Sequence, residues 1–211
     1  MSMDEVRHRM GKALQESGRG DDAVELVVVS KGRPVEAIQA LYDGGHRDFG
    51  ENRAQELVAK AQELPADVRW HFIGPLQRNK VASVRPLVVK LHSLDRLRLA
   101  DAWVRAGTGA PPALLEINLG NEPQKHGFVP AEAALAADEI IEKGVELTGV
   151  MSIPPFGEPA TPYFEHLVEV RDALAARHPR VTEISAGMTD DFEEAIRAGA
   201  TSIRVGRAIF D

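Results

Sequence analysis

Short apolar runs alternate with longer amphipathic stretches along the whole chain of 211 residues. The short runs are rich in valine, isoleucine and leucine; residues 26–29, for example, read LVVV. Such runs are typical of buried parallel strands. The predicted strands are residues 26–29, 48–49, 70–73, 87–92, 113–118, 145–151, 181–185 and 202–205.

The stretches between the strands place apolar residues three or four positions apart and stop at glycine or proline. This pattern is typical of helices that pack one face on a sheet. Asp190 and Glu193 have the spacing of a capping box at the start of the last predicted helix. The predicted helices are residues 3–17, 34–43, 54–64, 79–84, 95–106, 130–143, 161–178 and 190–198.

Eight strands alternating with helices predict an α/β fold, a single (β/α)8 TIM barrel that forms one domain over residues 1–211. An open doubly wound sheet usually carries G-x-G-x-x-G after its first strand, whereas residues 30–34 read SKGRP. Only residues 207–211 follow the eighth strand. We therefore expect the extra N-terminal helix to take the place of the last helix on the barrel wall.

Composition excludes several classes of function. A net charge of −7 and a pI near 5.5 argue against nucleic acid as the main partner. The chain has no cysteine, which excludes disulfides, thiolate metal sites and thiol nucleophiles, and its seven histidines lack H-x-x-x-H spacing, so we predict no metal. No apolar run approaches the roughly 20 residues of a membrane span. We expect a cytoplasmic protein with no membrane partner.

Lys31 follows the first predicted strand and lies in a strand-to-helix loop. Ligands of parallel α/β folds bind at the carboxyl ends of the strands, so this amine is well placed for chemistry. The neighbouring apolar run should desolvate the ammonium group, lower its pKa and make the amine a better nucleophile toward carbonyls. The alternative is an ordinary solvated loop lysine.

The loops after strands seven and eight are where TIM barrels often bind phosphate. Residues 185–189 read SAGMT and residues 204–208 read RVGRA, so each loop offers a glycine beside hydroxyl or guanidinium groups. Either loop alone would read as an ordinary glycine turn. Both loops together with Lys31 on the same rim indicate a Schiff-base lysine and a phosphate cradle, which suggests pyridoxal 5′-phosphate (PLP).

The chain carries six further motifs: VSK (29–31), FGEN (49–52), HFIGPLQ (71–77), MSIP (151–154), SAGMTDD (185–191) and IRVG (203–206). In these motifs the sequence resembles the pyridoxal-phosphate homeostasis proteins, the YggS/PROSC family, and the resemblance runs over nearly its whole length. The resemblance implies a fold-type III barrel like the N-terminal domain of alanine racemase, with Lys31 carrying PLP as an aldimine and Arg204 facing the pyridine nitrogen. It further implies that Ser185, Gly187, Met188, Gly206 and Arg207 surround the phosphate. This family commonly has threonine or another small residue at position 207, so only the backbone N–H of Arg207 is carried over.

An arginine at the ring nitrogen stays charged and disfavours a protonated ring, which weakens PLP as an electron sink. Racemases with this arrangement add a tyrosine from a second domain, and the only tyrosines here, Tyr42 and Tyr163, lie in predicted helices. We therefore predict a monomeric PLP binder and donor that supplies apo-enzymes and contributes to vitamin B6 homeostasis, with little or no turnover. The alternatives are a narrow-scope PLP racemase or decarboxylase, a cofactor-free Schiff-base aldolase and a purely structural barrel.

Several residues allow two interpretations. Asn52 either hydrogen-bonds near the cofactor ring or caps the helix that begins at Arg53. His71 is most simply a satisfied core histidine, and the Asp190-Asp191 pair most simply supplies helix N-terminal charge. Lys80 and Lys125 are either secondary aldimine sites on the same rim or solvated loop lysines.

Overall fold

Eight parallel strands close into a barrel in the order of the chain, and the last strand pairs with the first. This computed structural model describes residues 2–210. It confirms the predicted TIM barrel, with strand bounds that differ from the predicted ones by a few residues. The strands are β1 (Glu25–Val29), β2 (Asp48–Glu51), β3 (Arg69–Phe72), β4 (Val88–Leu94), β5 (Ala113–Glu116), β6 (Leu147–Met151), β7 (Glu183–Ser185) and β8 (Ser202–Val205).

Helices connect the strands on the outside of the barrel. Two predicted helices each begin as a short 3-10 turn, Arg78–Lys80 before α4 and Pro130–Glu132 before α6. Across residues 2–210, none of the helices combines the length and the apolar character that crossing a membrane requires. The α-helices are α1 (Met3–Glu16), α2 (Val35–Asp43), α3 (Ala54–Glu63), α4 (Val81–Val84), α5 (Leu97–Arg105), α6 (Ala133–Glu142), α7 (Thr161–Ala175), α8 (Phe192–Ala198) and α9 (Arg207–Phe210).

The predicted capping box at the start of α8 was wrong. Helix α8 begins at Phe192, two residues later than predicted, and Asp191 is its N-cap residue. The Asp191 carboxylate accepts a hydrogen bond from the Met188 backbone N–H at 2.6 Å. Because the carboxylate bonds back to the preceding loop, it caps no N–H group of the helix itself.

Helix α1 packs on the barrel wall against α8, as the sequence analysis predicted. Arg9 forms an ion pair with Glu193, and Arg197 forms one with Glu16 at 2.9 Å. The Arg19 side chain donates to the Ile196 carbonyl at the end of α8. The single turn α9 lies beside α1 as well.

A row of polar side chains crosses the barrel interior, whereas the main apolar core lies between the barrel and its helices. Phe49 of β2 packs on Trp70 of β3 outside the barrel, with ring centroids 6.0 Å apart. His92 of β4 bonds to Ser185 of β7. These two strands are not neighbours in the barrel, so this contact crosses its interior. Alternation along each strand separates the two environments.

Asp48 lies at the amino end of β2, where Arg69 and His71 both donate to its carboxylate. Burial by itself raises the pKa of Asp48, but these hydrogen bonds outweigh burial and lower the pKa from 3.8 to about 2. A carboxyl group with a depressed pKa stabilises the fold above its unfolded pKa and loses that contribution as the pH falls through the folded one. Asp48 therefore stabilises the fold at neutral pH and stops doing so near pH 2.

We expect Asp48→Asn to lower the unfolding free energy at neutral pH by about 1–2 kcal/mol, less than the full pKa shift implies because Arg69 is half exposed. The difference from wild type should shrink toward zero as the pH falls from about 4 to about 2. Urea unfolding across this range measures it, with Glu165→Gln on the exposed face of α7 as the control. A difference in unfolding free energy that stays constant with pH contradicts the attribution of this stability to the ionised Asp48 carboxylate.

Candidate functional site

Lys31 lies in the turn between β1 and α2, at the carboxyl end of the barrel. Its side chain is exposed, so the expectation of a desolvated amine was wrong. The reason is that the chain leaves the barrel wall at Ser30, whose buried side chain points back toward β2. Lys31 therefore lies beyond the apolar strand, with Gly32 completing the turn at φ +67°.

A cluster of polar and charged side chains stabilises this turn by hydrogen bonds. The Ser30 hydroxyl donates to Glu51 at 2.8 Å, and the Lys60 ammonium group donates to the Ser30 carbonyl at 2.8 Å. Lys60 also donates to Glu51 at 2.6 Å, and the Gly32 N–H donates to Glu56 at 2.8 Å. We call Ser30, Glu51, Glu56 and Lys60 the turn clamp.

The turn clamp lies between the barrel wall and α3. Glu51 is fully buried, and burial raises its pKa although Lys60 and Ser30 oppose the shift. Sequence analysis noted Glu51 within its motif but missed Glu56 and Lys60. The one available signal was their four-residue spacing on a predicted helix, which does not show that they reach a loop before β2.

Asn52 follows β2 at the same rim. The helix after it begins at Ala54 with Arg53 as its N-cap residue, so the interpretation of Asn52 as a cap was wrong. Its Oδ1 atom is buried and has no hydrogen-bond partner within residues 2–210. A Cβ atom at position 74 would lie 2.4 Å from the Asn52 Cβ, so glycine is required there. Asn52 thus offers an unpaired acceptor at the mouth of the barrel.

The two glycine loops meet the end of β1 at this rim. Gly187 adopts φ +91°, and a Cβ on Gly206 would lie 2.9 Å from the Val29 carbonyl oxygen. In the described chain, the backbone N–H groups of Gly187, Thr189 and Gly206 donate to no protein atom. Unpaired N–H groups on two adjacent loops are what an anion such as a phosphate needs.

Two residues predicted for the phosphate make other contacts. The Met188 N–H donates to the Asp191 carboxylate, as described above. The Arg207 side chain is exposed and forms an ion pair with Asp190, so it points along the surface. The structure therefore offers the backbone of Arg207 to a ligand on this rim rather than its guanidinium group.

Arg204 on β8 is buried, with 4% of its surface exposed. It donates to the Ser185 hydroxyl at 2.5 Å and to the Ser152 carbonyl at 3.1 Å. Burial lowers the pKa of Arg204 to about 10, against the opposing effect of Glu116 and Asp191, so it remains charged at neutral pH. The Ser185 hydroxyl, which the sequence offered to phosphate, is thus already bonded inside the barrel.

Glu116 at the end of β5 is a functional candidate that sequence analysis missed. Burial and the nearby Asp95 carboxylate raise its pKa to about 7, although Arg204 and Arg96 oppose the shift. The only signal was a carboxylate that ends an apolar strand. Glu116 lines a cavity of about 230 Å³ together with Gly74, Asn118, Lys125, His126 and Ile153.

The remaining candidates lie away from these groups or are already paired. Lys125 forms an ion pair with Glu122 and donates to the Ile153 and Pro154 carbonyls. Lys80 lines a groove against α3 on the outer wall. A secondary lysine site at either position therefore stays a prediction.

Glu25, Asp48 and His71 are the one group with metal-ligand spacing in the described chain, and they lie at the amino end of the barrel. Arg69 donates to both Asp48 oxygens, so the group consists of paired charges. The interpretation of His71 as a satisfied core histidine is confirmed by its hydrogen bonds to Asp48 and His92. The absence of a metal site stays a prediction.

Comparisons with known proteins agree with this geometry. The alanine racemase N-terminal domain family matches residues 1–211. The pyridoxal phosphate homeostasis proteins of Aquifex aeolicus and Escherichia coli K12 are each 38% identical to this chain, covering 97% and 98% of it and 94% and 93% of their own lengths. PipY of Synechococcus elongatus, solved with PLP bound, is similar with a TM-score of 0.85 and 33% identity over 98% of this chain and 100% of its own. The chain therefore belongs to the family of pyridoxal phosphate homeostasis proteins, built on the alanine racemase N-terminal domain.

Proposed function

We propose that this protein binds pyridoxal 5′-phosphate at the carboxyl end of its barrel and contributes to intracellular PLP homeostasis, with little or no catalytic turnover. The observation that carries the proposal is one rim that combines the Lys31 amine, the buried Arg204 charge, the unpaired Asn52 oxygen and two glycine loops with free N–H groups. PLP bound to PipY and the names of the relatives support it. PLP supplies an aldehyde that reacts with amines and a ring that accepts electrons.

Each group on the rim has a distinct proposed role. The Lys31 amine would hold the cofactor covalently, and the charged Arg204 would lie beside the ring nitrogen and keep it unprotonated. Asn52 would hydrogen-bond near the ring. Ser185 would act through Arg204, to which its hydroxyl is bonded. The phosphate would be held by backbone N–H groups of the two glycine loops, at Gly187, Gly206 and Arg207, whereas the Met188 N–H is bonded to Asp191.

The positions of the two tyrosines support low turnover. The Tyr42 hydroxyl bonds to Asp67 and the Tyr163 hydroxyl bonds to Glu158, in each case on the exposed outer helices. Both hydroxyl groups are thus bonded to carboxylates, which supports the proposal that neither serves as the second acid or base of a racemase.

Recipients of the cofactor would be apo-enzymes that depend on PLP. We further propose that residues 1–211 act as one PLP-binding domain, as a monomer and in the cytoplasm. These proposals rest on the sequence, with its net charge of −7 and its lack of cysteine.

Glu116 favours a narrow-scope racemase as a second candidate function. Its pKa of about 7 and its position in a cavity near Arg204 suit a general acid or base. Exchange of the amino-acid Cα proton for deuterium in D2O, in wild type but not in Glu116→Gln, would favour this candidate over a carrier.

Purified protein mixed with PLP should develop a yellow absorption band that borohydride fixes onto Lys31, because an imine with a lysine is reducible. Lys31→Ala should abolish the band and the labelled peptide while retaining the fold by circular dichroism. Lys80→Ala and Lys125→Ala are the matched controls and should retain both. Mass spectrometry that finds the label on another lysine, or a band unchanged in Lys31→Ala, would sink the proposal.

Removing part of the turn clamp should weaken cofactor binding without a change at the rim itself. Glu56→Ala deprives the Gly32 N–H of its acceptor, and we expect the dissociation constant of PLP to rise about fivefold to tenfold and the unfolding free energy to fall by about 1 kcal/mol. Glu63→Ala removes an exposed charge from the same helix and should change neither quantity. Spectrophotometric titration measures the dissociation constant, and urea unfolding measures the unfolding free energy. Equal PLP affinities of the two variants would exclude a role of the turn clamp in cofactor binding.

A further inference from the structure

A line of buried polar side chains runs down the interior of the barrel from β8 to β2. Arg204 donates to the Ser185 hydroxyl, which lies 2.8 Å from Nδ1 of His92. Nε2 of His92 lies 3.0 Å from Nδ1 of His71, and Nε2 of His71 lies 3.1 Å from the Asp48 carboxylate. All five residues are buried, and His92 and Ser185 have no exposed surface. We call these residues the interior chain.

If both histidines are neutral, the Asp48 end of the interior chain fixes the direction of every hydrogen bond in it. An arginine can only donate and an ionised carboxylate can only accept. Ser185 therefore accepts from Arg204 and donates to Nδ1 of His92. His92 then donates from Nε2 to Nδ1 of His71, and His71 donates from Nε2 to Asp48. In this arrangement each histidine carries a single proton, on Nε2.

The surroundings of His92 favour its neutral form. Burial lowers the pKa of His92 well below its usual value, and the positive charges of Arg204 and Lys90 lower it further. At the other end, Arg69 pairs with Asp48, and Glu25 lies beside His71. A second proton on His71 would set its Nδ1–H against the Nε2–H of His92.

We propose that Ser185, His92 and His71 are positioning residues, which hold the Arg204 guanidinium in one orientation through a one-way hydrogen-bond chain anchored on Asp48. The inference rests on the proposed function, in which Arg204 contacts the cofactor ring. The Ser152 carbonyl fixes a second nitrogen of the same guanidinium group. Loss of His92 frees the Ser185 hydroxyl to rotate, so the Arg204 group loses one of its two fixed partners.

The first test needs no cofactor. In protein labelled with ¹⁵N-histidine, His71 and His92 should both show a protonated Nε2 and a bare Nδ1 from about pH 6 to about pH 8. Signals are assigned from their loss in His71→Gln and His92→Gln. A proton on Nδ1 of either histidine, or a charged imidazole ring within this pH range, overturns the proposed directions of the interior chain.

The second test is a double-mutant cycle on the dissociation constant of PLP. His92→Gln should weaken binding about tenfold in the wild-type background and less than about twofold in the Arg204→Gln background, because its effect passes through Arg204. The control is His46→Gln, which should change binding less than twofold. His46 is also a buried histidine, but it bonds to the backbone carbonyl of Asp48 and is not part of the interior chain.

The outcomes separate this inference from the proposed function. Wild-type protein that fails to bind PLP overturns the proposed function, and the histidine signals still decide whether the interior chain exists. PLP binding with an equal effect of His92→Gln in both backgrounds overturns the positioning role. Should His92→Gln fail to fold by circular dichroism, His71→Gln takes its place in the cycle, with the same expected dependence on Arg204.

Discussion

A guanidinium charge inside a barrel is stable only if the protein replaces its hydration with hydrogen bonds and opposing charge. Arg204 meets this condition with two protein acceptors and with the carboxyl groups of Glu116 and Asp191 nearby. This requirement explains why polar side chains occupy an interior that branched apolar residues fill in many TIM barrels. The polar side chains that cross the interior therefore serve the burial of Arg204.

Two polar systems, one on each side of the barrel wall, prepare the same rim. The interior chain holds Arg204 from within, whereas the turn clamp holds the Lys31 turn from the space between β2 and α3. The glycine loops close the rim against the end of β1. A cofactor that spans the rim would thus meet groups whose positions are fixed before it binds, which lowers the entropic cost of binding.

The architecture and the main rim positions could be predicted because they depend on local patterns. Eight alternations of strand and helix specify a closed parallel barrel, and such a barrel brings Lys31, Gly187 and Gly206 to one edge whatever the side-chain details. The pairing partners could not be predicted. Lys60 reaches Ser30 across 30 residues and His92 reaches Ser185 across 93, and no spacing in the sequence encodes such contacts.

Local competition explains the errors. Asp191 bonds to the Met188 amide rather than to its own helix, so α8 begins later than its polar residues indicate. Asn52 lies one residue too early to cap α3. Lys31 is exposed because Ser30, not Lys31, takes the buried place at the end of the strand.

The central claim is that a buried Arg204, charged at neutral pH, faces the ring of bound PLP. The most direct measurement is the ¹⁵N chemical shift of PLP labelled at its ring nitrogen, recorded in the complex at neutral pH. With the pKa of Arg204 at about 10, the account predicts the shift of an unprotonated pyridine nitrogen. The shift of a protonated pyridinium would contradict it.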